Sequence, residues 1–421
     1  MEMNKLLRVL LILLIFELLC GVSCMYKGKL ADRERSLIKD VEKFNRDYGS
    51  KGVTIKNLKI GWEEEFVCNG LILKNSVIKN VELQYVKLKN MYIENSTIEN
   101  VSVIEQSDLS GSIFKNVKFK NFKSINHYAA PSDLDDSIFI DCEFINCEYS
   151  YVTLGKEYRN CKFYKVKEIE EVSYYDTVVT DCTYTNCKLE DSSYSEGRFE
   201  NIIFKDSVVR SGFDLKHGKN IQFINCVADF AINAKNGKVE DILVENSKPV
   251  GRPKMGFAGN VNNIVIRDCP IIARVVFYKG SFNNISIVNC KAPVTQFQKV
   301  NLSNLLIKNS IVQHLKFDEA DVSGDNRIEN TEIWGVFYGR SKIKDLTIED
   351  CIFDKYVYIA FSELIRLRLI NDIYKIDAKD HAVIGEKYVD SDIFPLKSVP
   401  FPESEDYVKD YYKENNKKTN K

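Results

Sequence analysis

The sequence predicts an all-β protein in which short parallel strands coil into one long solenoid, a parallel β-helix. Three observations carry this prediction: a motif that recurs about every 20 residues, a finer apolar period of five residues within it, and an amphipathic segment ahead of the first copy. Periods of this length are typical of proteins whose repeats stack on one another. We therefore expect one continuous core along most of the chain.

The longer period is a motif of Asn or Asp, Ile or Leu, any residue, then Ile, Val or Phe, any residue, Asn or Asp, and finally Cys, Ser or Thr. Its copies are spaced 19 to 22 residues apart and begin at Asn201, Asn220, Asp241, Asn263, Asn284, Asn304, Asp325 and Asp345. Looser copies begin at Gly52, Gly70, Asn90, Gly111, Asp136, Gly155, Asp176 and Arg366. Together these copies predict about sixteen turns.

The finer period places an apolar residue at every fifth position. Between residues 71 and 103 these pentad centres are Leu73, Ile78, Leu83, Leu88, Ile93, Ile98 and Val103, and a second inward residue stands two places before each. Because side chains alternate between the faces of a strand, two inward residues with one outward residue between them define a short strand. Four such strands make one turn of about 20 residues, and successive turns lie about 4.8 Å apart.

Aromatic residues occupy many of the same inward positions. We expect a central column filled by Phe139, Phe144, Phe163, Phe199, Phe204, Phe223 and Phe317. Tyr184 and Tyr194 hold pentad centres and are predicted to be core residues as well. Because parallel strands of this kind bury one continuous apolar face, a charge at such a position is costly.

This pattern resembles the pentapeptide-repeat family over roughly residues 52 to 372. The resemblance implies a right-handed parallel β-helix of four-sided cross-section, and it specifies the fold far better than the function. Some members of the family inhibit topoisomerases by mimicking DNA, which requires a strongly acidic surface. This chain carries 59 basic and 60 acidic side chains, so we expect no such role and no nucleic-acid partner.

The N-terminus has the layout of a signal peptide. Lys5 and Arg8 precede an apolar stretch, residues 9–19, that is short for a membrane span. The segment after this stretch resembles a bacterial lipoprotein signal, in which a cysteine is diacylated and becomes the new N-terminus. Cys24 comes directly after a small serine and fits this role best, with Cys20 as the alternative. The resemblance implies export, a lipid anchor in a membrane and a place in the bacterial cell envelope; a plain cleaved signal or an uncleaved anchor are the other interpretations.

The chain divides into four segments. Residues 1–23 are the signal peptide, 24–51 a lipid-anchor linker with an amphipathic capping helix, 52–394 the repeat β-helix and 395–421 a polar tail. The helix is predicted over Leu30–Tyr48, and it covers the unpaired strand edge at the end of the solenoid. Two stretches in which the period lengthens, Lys123–Asp135 and Lys248–Ala258, are predicted to be loops that leave a corner.

Twelve cysteines in an exported chain suggest disulfides, but most of them stand in one repeat position. The cysteines in this position are Cys142, Cys147, Cys161, Cys182, Cys187, Cys226, Cys269, Cys290 and Cys351. Ser and Thr fill the same position in other turns, and a buried free cysteine behaves as a small hydrophobe. We therefore expect unpaired core thiols. The sequence contains no CxxC pair, so we expect no metal site and no cofactor.

A column of Asn and Asp recurs once in each turn. Its members are Asp206, Asn225, Asn246, Asp268, Asn289, Asn309, Asn330 and Asp350. Both residue types tolerate a left-handed bend, and their side chains can form hydrogen bonds between stacked turns. We interpret the column as a structural ladder at a corner and not as a row of catalytic carboxylates.

The sequence identifies no catalytic residue. The four histidines, His127, His217, His314 and His381, lie far apart and carry no catalytic motif. Tyr164 and Tyr175 fall on outward positions and are candidates for stacking on sugars. The sequence favours a non-enzymatic scaffold or interaction lipoprotein with an unknown protein or glycan partner. The alternative is a glycan-binding or glycan-cleaving β-helix protein at the cell envelope.

Overall fold

The chain is a parallel β-solenoid of about 14 turns preceded by one short helix. The computed structural model describes residues 40–60, 66–104, 107–125, 134–169, 171–248, 255–272, 274–360, 362–370, 373–374 and 382–384. Strands within these ranges pair in parallel with the strands one turn before and one turn after. The predicted fold class is confirmed.

The helix covers 40–48. As far as residue 185 the strands are Thr54–Ile60, Phe66–Val67, Ile72–Lys74, Val77–Gln84, Val86–Lys87, Tyr92–Ile104, Ile113–Lys120, Lys123–Ile125, Ile138–Ile140, Glu143–Ile145, Glu148–Ser150, Glu157–Arg159, Lys162–Tyr164, Lys167–Glu168, Val172–Tyr175, Val178–Thr180 and Thr183–Thr185. The later strands are Lys188–Lys205, Val208–Ile224, Val227–Ala228, Ala231–Glu245, Met255–Arg267, Arg274–Val288, Lys291–Lys308, Ile311–Asp318, Asp321–Ser323, Asn326–Glu329, Glu332–Gly339, Lys342–Glu349, Ile352–Ala360, Glu363–Ile370, Ile373–Tyr374 and Ala382–Ile384.

A single turn shows how the chain forms four sides. Ile98, Val103, Leu109 and Phe114 follow one another at pentad centres, or one residue off, and all are buried. Ile98, Val103 and Phe114 lie in strands, and Leu109 follows an isolated bridge between Lys87 and Asp108. Each stands on a different side of the turn, and we call these sides the first, second, third and fourth faces, in that order. The side chains of all four faces meet in one core along the axis of the solenoid.

The first face fixes the length of the rod. Its inward residues stack in register from Ile55 to Ile348, fifteen in all, and the backbone of Leu369 pairs with Ile348 in one further strand. At about 4.8 Å per strand this column is roughly 70 Å long. Complete turns number about 14, fewer than the sixteen predicted copies.

Aromatic rings fill the centre of the rod as predicted. All seven phenylalanines assigned to the core expose 4% or less of their surface, and Tyr184 and Tyr194 each expose 1%. The rings of Phe144 and Phe163 stack with their centroids 4.7 Å apart, and Phe163 stacks on Tyr184 at 4.2 Å. These distances are close to the spacing of neighbouring strands, so the backbone ladder itself aligns the rings.

The corners confirm the structural interpretation of the Asn and Asp column. All eight residues have a positive φ, between 45° and 54°, a region that Asn and Asp adopt more readily than other residues with a side chain. The amide of Asn225 donates to Oδ1 of Asp206 at 3.1 Å, and that of Asn246 donates to Oδ1 of Asn225 at 2.7 Å. The column therefore holds successive turns together at one edge.

The helix covers the N-terminal end of the solenoid, and its predicted first part, 30–39, lies outside the described residues. Phe44 enters the core with 7% exposed. The side chain of Asn45 replaces a neighbouring strand for Ile72–Lys74, because its amide donates to the Gly70 carbonyl at 2.8 Å and its oxygen accepts the Ile72 N–H at 2.8 Å. The strand edge thus keeps hydrogen-bond partners that water would otherwise supply.

Both predicted corner loops are partly wrong. Lys123–Ile125 is a strand in register with 102–104, and the second stretch ends inside the strand Met255–Arg267. The chain rejoins the ladder at these points because Ser124 and Phe257 fit inward positions, where they expose 0% and 1%. The middles of the two stretches, 126–133 and 249–254, lie outside the described residues.

The register predicts very different effects for neighbouring substitutions. Ile287 is fully buried, whereas Ser286 beside it faces outward. Ile287→Asp should lower the free energy of unfolding by several kcal/mol, because an unpaired carboxylate would be buried, while Ser286→Asp should change it by about 0.5 kcal/mol or less. Thermal unfolding followed by circular dichroism compares the two variants, and equal losses would mean that the inward register is wrong.

Candidate functional site

The sequence singled out two cysteines and two tyrosines as site residues. Cys24 and Cys20 lie outside the described residues. Tyr164 points outward from the first face with 41% exposed, and Tyr175 points outward from the third face with 66% exposed. These faces are opposite sides of the solenoid, so the two rings belong to separate surfaces. The structure does not bring them together in one site.

The described cysteines are buried in the core, except Cys68, which is partly buried. Ten are free, and the nine predicted for the small inward position are all buried. The thiol of Cys226, for example, donates to the Phe204 carbonyl at 3.3 Å. Burial raises the pKa of Cys147 and of Cys187 to about 12, so both stay protonated and unreactive at neutral pH. Across the described ranges, no group of three or more His, Cys, Asp or Glu side chains could hold a metal ion.

The outer surface of the first face carries an aliphatic stripe. Four of its six members are aliphatic, namely Ile203, Leu243, Val265 and Leu306, and the polar Gln222 and Ser286 stand between them. All six stack in register and are partly exposed. Ion pairs border it, with Arg267 3.1 Å from Glu245 and Lys308 2.7 Å from Glu329. Nearer the N-terminus the same outward column is charged, as at Lys118. Folding does not require aliphatic residues here, so the stripe is a candidate contact surface.

The fourth face carries a neutral polar surface, which we call the amide patch. Its members are Asn260, Asn262, Ser281, Asn283, Asn301 and Ser303, on three successive strands. The Asn283 oxygen accepts the Ser303 hydroxyl at 2.8 Å and the Asn304 amide at 2.9 Å. Tyr278, with 37% exposed, precedes the corner beside the patch. Amides, hydroxyls and an exposed ring are groups that can form hydrogen bonds to sugars and stack on them.

A carboxylate lies in the middle of the core. Glu168 stands at an inward position of the second face with 1% exposed. Its Oε1 accepts the Tyr174 hydroxyl at 2.5 Å, and its Oε2 accepts the Ser192 hydroxyl. The Tyr194 hydroxyl is buried in the same cluster and interacts with Glu168. A small polar cluster therefore interrupts the apolar core.

Burial raises the pKa of Glu168 from its usual 4.5 to about 7, although hydrogen bonds from Ser192 and Tyr174 oppose the shift. The titratable groups that share electrostatic interactions with it are Tyr149, Tyr158, Tyr174, Tyr184, Tyr194 and Cys187. Burial raises their pKa values too, so they remain neutral and none supplies a compensating positive charge. Ionised Glu168 is thus stabilised by hydroxyl groups alone.

Glu168 was not among the predicted site residues, although the sequence contains the signal. It stands five residues after Phe163, at a pentad centre. The residues paired with it in the adjacent turns are Tyr149 and Leu189. A charged residue at the centre of a pentad departs from the pattern that defines the core, and such departures mark candidate sites.

No known family model matches the chain, and none of the curated proteins matches it in sequence. Its similar solved structures include QnrB1, a plasmid-mediated fluoroquinolone resistance protein, at 12% identity over 46% of this chain and 92% of the other, with a TM-score of 0.18. They also include HetL, a pentapeptide repeat protein involved in heterocyst differentiation regulation from Nostoc, at 8% identity over 81% and 97%, with a TM-score of 0.12.

A third similar structure is the A-module of a mannuronan C-5 epimerase from Azotobacter vinelandii. Its identity to this chain is 10% over 80% of this chain and 93% of the other, with a TM-score of 0.22. With TM-scores this low, the architecture rests on the strand register described above. None of these likenesses bears on the activity of this chain.

Glu168 predicts a pH dependence of stability. Since the folded state binds its proton more tightly than the unfolded chain, the contribution of this group is greatest below about pH 4.5 and is lost as the pH rises to about 7. The loss is about 3 kcal/mol. Glu168→Gln should remove this dependence, so the variant should be more stable than the natural protein at pH 8 and little changed at pH 4.

Amide hydrogen exchange of the strand Val172–Tyr175, corrected for the intrinsic effect of pH, measures this local stability. Glu200→Gln is the matched control, because Glu200 is exposed on the surface of the rod, and it should leave the pH dependence unchanged. An unaltered pH profile in Glu168→Gln would contradict the assignment.

Proposed function

We propose that the protein is an exported, lipid-anchored, non-enzymatic scaffold that binds a protein partner along one side of its rod. The observation that carries this proposal is the aliphatic stripe on the first face. From Ile203 to Leu306 the stripe crosses six stacked strands, a length of about 24 Å. Its four aliphatic side chains are partly exposed, with Gln222 and Ser286 between them, and a partly apolar surface bordered by charged residues is a feature of many protein contact sites.

The shape of the stripe indicates the kind of partner. Its outward side chains project from a backbone held on both sides by the parallel ladder, so they present a preorganised surface that loses little entropy on binding. The Arg267–Glu245 and Lys308–Glu329 pairs at its border are partly exposed. A partner with a flat apolar centre and a polar rim complements this surface.

The lipid anchor is supported by the sequence alone. A basic start, an apolar stretch and a cysteine after a small residue together favour Cys24 as the acylated position. Two acyl chains suffice for stable membrane attachment, whereas a single chain binds only marginally. Anchoring at the N-terminus would attach the helix-capped end of the rod to the membrane and project the first face along its length.

The anchor can be tested by labelling with radioactive palmitate. Cys24→Ser should lose the label and move from the membrane fraction to the soluble fraction, because the acylated sulfur is gone. Cys20→Ser is the matched control and should keep both the label and the membrane attachment. A Cys24→Ser protein that remains labelled and membrane-bound would overturn the assignment to Cys24.

A glycan-binding role is the second candidate, and the amide patch favours it. The patch offers neutral donors and acceptors on three adjacent strands with the exposed Tyr278 at its edge. Tyr164 and Tyr175, the tyrosines predicted from the sequence, lie on other faces and would not contribute to this site.

Site-specific photo-cross-linking in intact cells separates the two roles. A photoreactive phenylalanine analogue at Val265 should give a discrete protein adduct, and the adduct should disappear when Leu243→Lys is added. The same analogue at Asn283, on the fourth face, should give none. A carbohydrate adduct at Asn283 without a protein adduct at Val265 would favour the glycan role, and no adduct at Val265 would contradict the scaffold.

A further inference from the structure

The N-terminal end of the rod contains a partly open apolar cavity of about 130 Å³. Its wall includes Leu73 and Leu83 from one turn and Ile98, Val103 and Leu109 from the next. These five side chains are buried and have no polar atom, whereas Asp40 and Cys68, which also line the cavity, are exposed and partly buried respectively. The cavity is therefore a hollow in the hydrophobic core itself, distinct from the stripe and the patch on the outer surface.

The sequence explains why the cavity lies at this end. The strand ladder keeps the cross-section of the solenoid nearly constant, so each turn has a similar volume to fill. In the first turns the pentad centres are aliphatic, namely Ile78, Leu83, Leu88 and Ile93, whereas the turn from Tyr184 to Phe199 has aromatic rings at three of its four centres. Smaller side chains in a fixed frame leave space, because the walls cannot collapse inward without breaking the ladder.

The size and the lining define what can occupy the cavity. An apolar cavity of about 150 Å³ remains dry and takes up benzene, because a water molecule needs two or more polar partners. We infer that the N-terminal core of this protein is a binding site for a small apolar molecule of about six to eight carbon atoms. The ligand would restore the dispersion contacts that the phenylalanines provide elsewhere in the rod.

The capping helix forms the outer wall of this site. Val41 and Phe44 line the cavity from the helix, and Asn45 ties the helix to the rod through the hydrogen bonds to Gly70 and Ile72. Tilting the helix away would open the cavity without disturbing a complete turn of the solenoid. Entry of a ligand is therefore compatible with an intact rod.

Benzene is a suitable probe, and the full chain is the protein to use. Saturating benzene should slow amide hydrogen exchange in the strand Tyr92–Ile104, which lines the cavity, and should leave the strand Arg274–Val288 unchanged. Equal slowing in both strands, or none in either, would overturn the inference.

A pair of substitutions tests the hollow directly. Val103 and Val209 both stand at inward positions of the second face and are buried, but only Val103 is among the residues that line the cavity. Val103→Phe should fill the space, keep or raise the thermal midpoint and abolish the effect of benzene. Val209→Phe should lower the midpoint, because a ring is forced into a packed core, and should keep the response to benzene.

Two outcomes would refute the site. If Val103→Phe loses as much stability as Val209→Phe, the wall has no space for a ring. If benzene still protects Tyr92–Ile104 in a folded Val103→Phe protein, the molecule binds elsewhere. Ile98→Met, which changes the shape of the wall with little change in volume, should weaken the response to benzene without abolishing it and should fold in either case.

Discussion

The parallel backbone ladder between residues one turn apart is the constraint on which the rest of the structure depends. Ile287, for example, pairs with Ile266 in the turn before and Ile307 in the turn after. Because the strands between the two ends of the rod have partners in the turn before and in the turn after, the width of the solenoid is set by the backbone and not by the side chains inside it. The corners then require a left-handed residue, which Asn and Asp supply, and the rings inside must stack at the spacing of the strands.

This constraint explains which features the sequence could predict. Alternation is a local property of a strand, so the inward positions of Leu73, Phe204 and Ile287 follow from the pentads alone. The strands Lys123–Ile125 and Met255–Arg267 could not be predicted in this way, because the period lengthens there. Their positions follow from the pairing with the strand of the preceding turn. The number of turns also depends on closure at the ends, which no local pattern specifies.

For the candidate surfaces too, some features follow from the local sequence pattern and others only from the three-dimensional register. The sequence correctly placed Tyr164 and Tyr175 on outward positions, but the face that each occupies depends on every corner between them. Tyr164 and Tyr175 therefore lie on opposite sides of the rod, although they are only eleven positions apart in the sequence. The aliphatic stripe is a column of residues about 20 positions apart, so it becomes visible only when the register is known.

At outward positions the fold places few constraints on the type of residue. An inward position must be apolar or small, and a corner must tolerate positive φ, so these positions carry information about folding. The outward column of the first face changes from charged residues such as Lys118 to the aliphatic Leu243 and Val265 within one continuous ladder. Since the ladder is the same in both regions, the fold does not require this change in side chains, and the proposed scaffold role rests on it.

Inside the rod, the same rigidity preserves a cavity and a buried carboxylate, which the side chains of a globular core would partly fill or expose. A globular protein that loses a large side chain shifts its neighbours partly into the gap, and the cost depends on how far they move. Here the walls are hydrogen-bonded strands, so the aliphatic turns around Leu83 retain a cavity. For the same reason Glu168 remains buried, because its side chain cannot reach water without a movement of the backbone. In a solenoid each turn rests only on its neighbours, so each of these two features stays local. The apolar hollow and the buried carboxylate can therefore coexist in one rod, each acting on the turns beside it and not on the whole.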